Sequence, residues 1–336
     1  MNDNYPRLVR HPDTPIHLAQ PPPLPASPSP PPTPDFAQRV TVLVVSYNSA
    51  HCLPALGRSL ASLPWVTLID NGSHDDTLAM TAQHLPQARV LALPNNLGFG
   101  AANNQGWRAA QTEFVLLLNP DCVCDAEAIA SLIRCADAQP NASVIAPQLL
   151  DRRGAPDISY RWRTGWAMGG TGGASPVTNG ASPVTGWASR GPGADAPCCV
   201  GFVSGAAMLI RRSALAEVQG FDEAFFLYYE DEDLCLRLQD QCGPIVVEPA
   251  SQIQHLSRAS VGGKHRLRSE YLRGFHHIQS KFLFKRKHGG QAVGGLRRCG
   301  YALGGAAEAL LRLLLLDPKR AARCVGRVAG VLRASH

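Results

Sequence analysis

The sequence predicts an α/β protein in which helices cover both faces of a mostly parallel sheet. Three observations predict it. From Val40 onward, β-rich runs of four to seven residues alternate with helical stretches, the pattern of βαβ crossovers. The strand-like runs end on polar or glycine-bearing turns, where such sheets bind ligands. A chain of 336 residues that is 45% hydrophobic fills a real core, in one large α/β domain with appendages or in two modest domains.

Taken in order, "VTVLVVS" (Val40–Ser46) opens the sheet and Leu53–Leu63 returns as a helix. "VTLID" (Val66–Asp70), "RVLAL" (Arg89–Leu93), "FVLLLN" (Phe114–Asn119) and "SVIAP" (Ser143–Pro147) follow as strands, with helices expected over Phe99–Ala110 and Ala126–Ala138. In "DNGSHDDT" (Asp70–Thr77), Gly72 permits a tight turn, Ser73 is the expected N-cap, and Asp75 and Asp76 suit a first helical turn. The strand ends place Ser46–Asn48, Asp70–Ser73, Asn95–Gly100 and Asn119–Asp121 on one rim.

Three segments stand outside this pattern. Residues 1–38 carry "PPPLPASPSPPPTP", which reads as an extended, disordered tail. Between about 164 and 197, Gly, Ser and Pro dominate and "GASPVT" occurs twice, the composition of a flexible insertion. Residues 289–336 read as a basic amphipathic helical tail. From Arg258 to His336 there are 17 Lys and Arg against three acids, a balance of +14 within a net +6. Leucine-rich stretches among these charges favour an anionic bilayer over nucleic acid. The alternative is a helical appendage whose leucines pack on the catalytic domain.

The ten cysteines have neither zinc nor disulfide-framework spacing and read as reduced thiols of a cytoplasmic protein. The first residues contain no apolar signal region, so export is not expected. "ALLRLLLL" (Ala309–Leu316) is too short to span a bilayer.

Candidate chemistry sits at four places. Asp70 brings a carboxylate to a strand tip, where a nucleobase N–H or a ribose hydroxyl can donate to it. "NNLGFGAANNQGW" (Asn95–Trp107) lets backbone approach a ligand closely at Gly98 and Gly100. "LLLNPDC" (Leu116–Cys122) delivers Asp121 to a strand end, with Asn119 where a second carboxylate would stand. "FFLYYEDEDLCLRL" (Phe225–Leu238) sets four acids, Glu230 to Asp233, behind bulky aromatics that raise a carboxylate's proton affinity. Helical residues one apart diverge by about 100°, so at most two of the four share one small site. His255 is a lone histidine after an apolar run.

In order and spacing, "VTVLVVSYN", "DNGSHDDT", "NNLGFGAANNQGW", "LLLNPD", "GFVSGAAMLIRR" and "GFDEAFFLYYEDEDLCLRL", with a downstream His, resemble the family 2 inverting glycosyltransferases, particularly their bacterial rhamnosyltransferase-like branch. The similarity covers about Val40 to Lys287, interrupted by the insertion. It implies a GT-A fold over 39–288, with a Rossmann-like nucleotide-sugar half joined to an acceptor half on one mixed sheet. It implies that Asp70 holds the donor's base and ribose beside Ser46, Tyr47 and Asn48. Asn96, Gly98, Phe99, Asn103 and Asn104 would line the diphosphate and sugar.

The Asn119-Pro120-Asp121 stretch falls where the family carries its metal-binding Asp-X-Asp. Asp121 and His255 would therefore hold Mg²⁺ or Mn²⁺, with Asn119 orienting the ribose or a water. Asp231 matches the general base, and Glu230 and Asp233 fall on the acceptor side. By the same resemblance the donor is dTDP-L-rhamnose; the basic, leucine-bearing tail from Arg258 points to a glycan or polyprenyl-linked glycan acceptor, in bacterial surface polysaccharide synthesis. The enzyme would work at the inner face of the plasma membrane, with no nucleic acid partner. A UDP-hexose donor, a nucleotidyltransferase and an inactive nucleotide-sugar-binding relative are the alternatives.

Overall fold

The computed structural model describes residues 36–157, 159–161, 196–256, 266–289 and 293–333. The Pro-rich segment, save its last three residues, and the 164–197 insertion, save its last two, lie outside the described residues. The chain runs α1 (Phe36–Arg39), β1 (Val40–Ser46), α2 (Leu53–Leu60), β2 (Val66–Asp70), α3 (Thr77–His84), β3 (Arg89–Ala92), α4 (Phe99–Trp107), β4 (Phe114–Leu118), β5 (Cys122–Val123), α5 (Ala126–Ala138), β6 (Val144–Leu150), β7 (Tyr160–Arg161), β8 (Cys198–Val200), β9 (Phe202–Val203), β10 (Ala207–Arg211), α6 (Arg212–Glu217), α7 (Glu230–Gln241), β11 (Ile245–His255), α8 (Arg266–Gly289), α9 (Gly295–Leu314) and α10 (Pro318–Arg333).

The strands order as β3-β2-β1-β4-β10-β6-β11-β5, with β8 beside β11. The half from β3 to β4 is parallel. β10 then enters antiparallel to both β4 and β6, and β11 pairs parallel with β6, so the sheet is mixed. All seven residues of β1 are buried, because helices lie on both faces. Val40, Val42 and Val44 point one way, against Leu53, Leu56 and Leu60 of α2 and Ile129, Leu132 and Ile133 of α5. Leu43 and Val45 point the other way, into a core shared with Ala102, Leu215, Leu234 and Leu238.

Two local features set where the strand ends deliver their side chains. β11 shifts register between Glu248 and Gln252, a bulge at Pro249–Ser251 that Ser251 Oγ anchors by donating to Ala128 O at 2.8 Å. Past the bulge, β11 reaches β5 and sets His255 opposite Cys122. At β2 the expected helix start moves: α3 begins at Thr77, and Ser73 does not cap it. Ser73 Oγ instead accepts from Asn48 N at 2.9 Å, and Asp75 accepts from Ala50 N and Thr77 N, both at 3.1 Å. The polar turn after β2 is thus bonded to the turn after β1 as well as to the first residue of its own helix.

The C-terminal helices pack as a module that begins before residue 289, since α8 lies along α10. Glycines make the close crossing possible: a Cβ on Gly274 would strike Arg323 O, and one on Gly326 would strike Tyr271 O. Glu270 ties the same helices together, accepting from Arg323 Nε at 2.6 Å. We predict that Gly326→Val forces α8 and α10 apart at a cost of about 1–3 kcal/mol, read as a lower thermal midpoint of the full chain.

Candidate active site

The parallel strands β1 and β2 end side by side, Ser46 in register with Asp70. Both are buried, at 0% and 3% exposure. Asp70 Oδ2 accepts from Ser73 N at 3.2 Å, whereas Asp70 Oδ1 and Ser46 Oγ have no hydrogen-bond partner among the described residues. Buried polar atoms are ordinarily satisfied, so two orphans on adjacent strand tips mark a place where a polar ligand completes the bonding. Tyr47 stands exposed at this edge, and Asn48, at φ 52°, accepts from His74 N at 2.8 Å.

The Asn95–Gly100 loop is fixed by Asn71, whose Nδ2 donates to Asn96 Oδ1 at 3.0 Å and to Gly98 O at 3.2 Å. Leu97 N donates back to Asn71 Oδ1 at 2.8 Å. Gly98 has φ 89°, and a Cβ there would strike Phe226 O, while Phe99 N donates to that same carbonyl at 3.1 Å. The loop therefore sits directly against the aromatic segment that leads into α7.

Two expected donor-side residues are buried and bonded to protein. Asn104 is fully buried and uses its whole amide internally. Nδ2 donates to Phe221 O and Glu223 Oε1, and Oδ1 accepts from Phe221 N and Trp107 Nε1. Asn103, 1% exposed, donates back to Phe99 O.

β4 ends in the turn that carries Asn119 and Asp121. Asn119 N donates to Ala206 O at 2.8 Å, and Cys122 Sγ donates to the same oxygen at 3.4 Å. Asp121 is 2% exposed, with Oδ1 3.4 Å from His255 Nε2. Asp121, Cys122 and His255 offer ligand atoms all within 4.8 Å of one another. Burial pushes the Cys122 thiol well up, and it remains a protonated donor to Ala206. The usable donors are thus one carboxylate and one imidazole. That set fits a divalent cation such as Mn²⁺ or Mg²⁺ that takes its other oxygens from substrate and water.

The four acids of α7 diverge as helical geometry requires. Asp231 points to Gly205, accepting from Gly205 N at 3.1 Å through Oδ2 and from Glu232 N at 2.9 Å through Oδ1. Glu232 is held by Arg161 at 3.0 Å, and the Arg161 guanidinium stacks on Phe202. Asp233, expected on the acceptor side, is fully buried among Arg237 at 2.8 Å, Lys287 at 2.7 Å and His288 at 2.8 Å. Glu230 also turns inward, and its Oε2 has no hydrogen-bond partner among the described residues. Burial raises the Asp231 pKa, with the two backbone donors acting against that rise. Burial, then the Asp231 charge, raises Glu230 well above the carboxylate range.

Sequence reading did not single out the Ser204–Ala206 tripeptide that joins these parts. Gly205 N binds Asp231, and the next residue's carbonyl binds Asn119 and Cys122. The strand-tip acid and the helix-start acid therefore flank one short piece of backbone. A side chain at Gly205 would press on Phe99 Cε1 at 3.2 Å, the only signal being a glycine before an apolar run.

Against known proteins, the profile described as Glycosyl transferase family 2 matches residues 41–218. The chain belongs to glycosyltransferase family 2. A further profile, Glycosyl transferase family group 2, matches residues 187–318. Over 246 residues the chain is 31% identical to N-acetylglucosaminyl-diphospho-decaprenol L-rhamnosyltransferase of Mycobacterium tuberculosis, which spans 66% of this chain and 77% of the relative. It is 26% identical over 202 residues to the low-salt glycan biosynthesis hexosyltransferase Agl10 of Haloferax volcanii, covering 59% and 61%.

Among solved structures, the mannosyltransferase PcManGT from Pyrobaculum calidifontis, in complex with GDP-Man and Mn²⁺, matches with a TM-score of 0.53 at 15% identity, over 89% of this chain and 88% of that one. S. aureus TarS 1–349 matches at 0.50 and 16% identity, over 88% and 91%. The fold is GT-A-like, and this family 2 enzyme is a rhamnosyltransferase-like glycosyltransferase.

The Glu230 environment yields a stability prediction. Because folding raises its pKa, the folded protein binds that proton more tightly than the unfolded chain. The group's contribution is therefore full below the unfolded value of about 4.3 and is lost as pH climbs through the raised one. Glu230→Gln removes the loss. Its thermal midpoint is expected to match wild type near pH 4 and to exceed it increasingly toward neutral pH, by on the order of 1 kcal/mol or more in stability.

Proposed function

We propose that this enzyme transfers L-rhamnose from dTDP-L-rhamnose to a glycan carried on a polyprenyl diphosphate, with inversion at the anomeric carbon. The reaction would serve bacterial surface polysaccharide synthesis at the inner face of the plasma membrane. The observation that carries the reading is the Ser204–Ala206 link between the Asp231 and Asp121 turns, which sets a base candidate and a cation-binding candidate on one short backbone segment. The relative of M. tuberculosis, an L-rhamnosyltransferase acting on a diphospho-decaprenol acceptor by its name, supports the choice of donor and acceptor class.

In this reading Asp70 and Ser46 complete their bonding with the donor nucleoside, and Tyr47, Asn48, Asn96, Gly98, Phe99 and Asn119 border the donor. Asp121 and His255 would hold a divalent cation, Mn²⁺ or Mg²⁺, which would supply positive charge toward the leaving diphosphate. Asp231 accepts the proton of the acceptor hydroxyl as that oxygen attacks. Gly205 N, Glu232 N and the start of α7 favour its ionised form against the burial that raises its pKa. With one displacement and no covalent enzyme intermediate, the configuration inverts.

Asp231→Asn is expected to keep donor binding, seen as an unchanged thermal shift with dTDP-L-rhamnose and Mn²⁺, while turnover falls by at least about 10². Wild-type turnover in that variant would overturn the role. In wild type, kcat/KM should rise with pH through a value above the usual carboxylate range of about 3.9, because burial lifts the Asp231 pKa and only its ionised form accepts the proton. Release of a nucleoside diphosphate supports sugar transfer, whereas release of pyrophosphate would indicate nucleotidyl transfer. A UDP-hexose outcompeting dTDP-L-rhamnose in the same assay would reassign the donor.

A further inference from the structure

The helix α9 is inside out for an appendage of a soluble domain. Leu296, Leu303, Leu310 and Leu314 recur at helical spacing and are 91%, 72%, 62% and 74% exposed. Gly300 and Ala307 fall on the same exposed stripe. The opposite side faces α10 and carries the polar groups: Glu308 pairs with Arg327 at 3.3 Å, and Arg298 donates to Val331 O at 3.0 Å. The turn into α10 continues the apolar surface, with Leu313, Leu315 and Leu316 at 54%, 61% and 89% exposure. These leucines are therefore not packed on the catalytic domain, the alternative to a bilayer contact.

We propose that this face of α9, with the Leu313–Leu316 turn, lies in the surface of an anionic lipid bilayer. Charge complementarity selects that occupant. Arg297 borders the stripe, Lys319 and Arg320 follow the leucine turn, and Arg333 adjoins the 75%-exposed Leu332; all four cations are exposed. The sequence from Arg258 onward balances to +14, which favours an anionic surface and opposes a second copy of the same basic face. At 20 residues α9 is about 30 Å long, yet no described helix is long and apolar enough to cross a membrane, so α9 lies along the interface. The contact deepens the lipid-linked acceptor reading, because it holds the enzyme where such an acceptor resides.

Flotation of the full chain with vesicles tests this without reference to catalysis. Wild type is expected to float with phosphatidylcholine vesicles containing phosphatidylglycerol, to float less as salt rises, and to stay down with phosphatidylcholine alone. The triple change Leu303→Gln, Leu310→Gln and Leu314→Gln should lower the floated fraction about tenfold, with thermal midpoint and donor-sugar hydrolysis unchanged. Should the triple variant melt early, Leu314→Gln alone carries the test, since its side chain meets solvent. Undiminished flotation of the folded variant, or no flotation of wild type, overturns the proposal. So does a wild-type dimer in sedimentation that the substitutions dissociate, since it assigns the face to a second copy. Loss of transferase activity with flotation intact would count against the donor and acceptor assignment instead.

Discussion

A carboxylate that takes a proton from a hydroxyl must be buried enough to want the proton and bonded enough to stay charged while waiting for it. The first turn of α7 meets that constraint at one residue by disposing of its neighbours. Four successive acids in one turn would repel one another if they shared a site. The 100° advance per residue instead sends each to a different environment. Glu232 is neutralised by Arg161, Asp233 by Arg237, Lys287 and His288, and Glu230 is driven toward its protonated form by burial. Asp231 alone faces the Ser204–Ala206 backbone with both oxygens accepting from N–H groups. The helix start adds a favourable dipole for the one charge that remains.

Holding that turn in place costs backbone strain, which α8 offsets. Tyr228 and Tyr229 lie at φ 69° and 65°, a left-handed pair that bulky residues rarely adopt. His277 packs edge-on against both rings, Phe284 tilts against Tyr229, and His276 stacks on Phe226. Ser280 Oγ donates to Leu227 O at 2.9 Å, and Lys287 and His288 reach Asp233 about two turns farther along α8. A single helix thus grips the aromatic loop and the acid turn together. Because α8 also packs on α10, the basic C-terminal helices are mechanically continuous with the residues that position Asp231.

Where a sequence signal is local and repetitive, it was legible. β1, β2 and α5 fall on the residues their patterns indicate, because uninterrupted β-branched runs and a 13-residue amphipathic helix leave few alternatives. Where the deciding partner is remote, it was not. Asn104 in an Asn-rich segment looks available for a ligand, yet its bonds go to Phe221, 117 residues away. Ser73 looks like a cap until Asn48 claims it across the neighbouring strand turn. The reach of β11 to β5 depends on a bulge around Pro249, which as sequence reads only as an interrupted strand. The remote pairing between Asp121 and His255 entered through the family resemblance, and the β5–β11 ladder explains it, since antiparallel pairing beyond the bulge sets the two turns side by side.

The replacement of a second carboxylate by Asn119 has an electrostatic consequence for the proposed reaction. A hard divalent cation gathers negative oxygens until its charge is balanced, and in the proposed site the chain would contribute the Asp121 carboxylate and the His255 imidazole, leaving most of the remaining charge to the donor diphosphate. His255 also bears on the orientation of Asp121, since its imidazole lies 3.4 Å from Asp121 Oδ1.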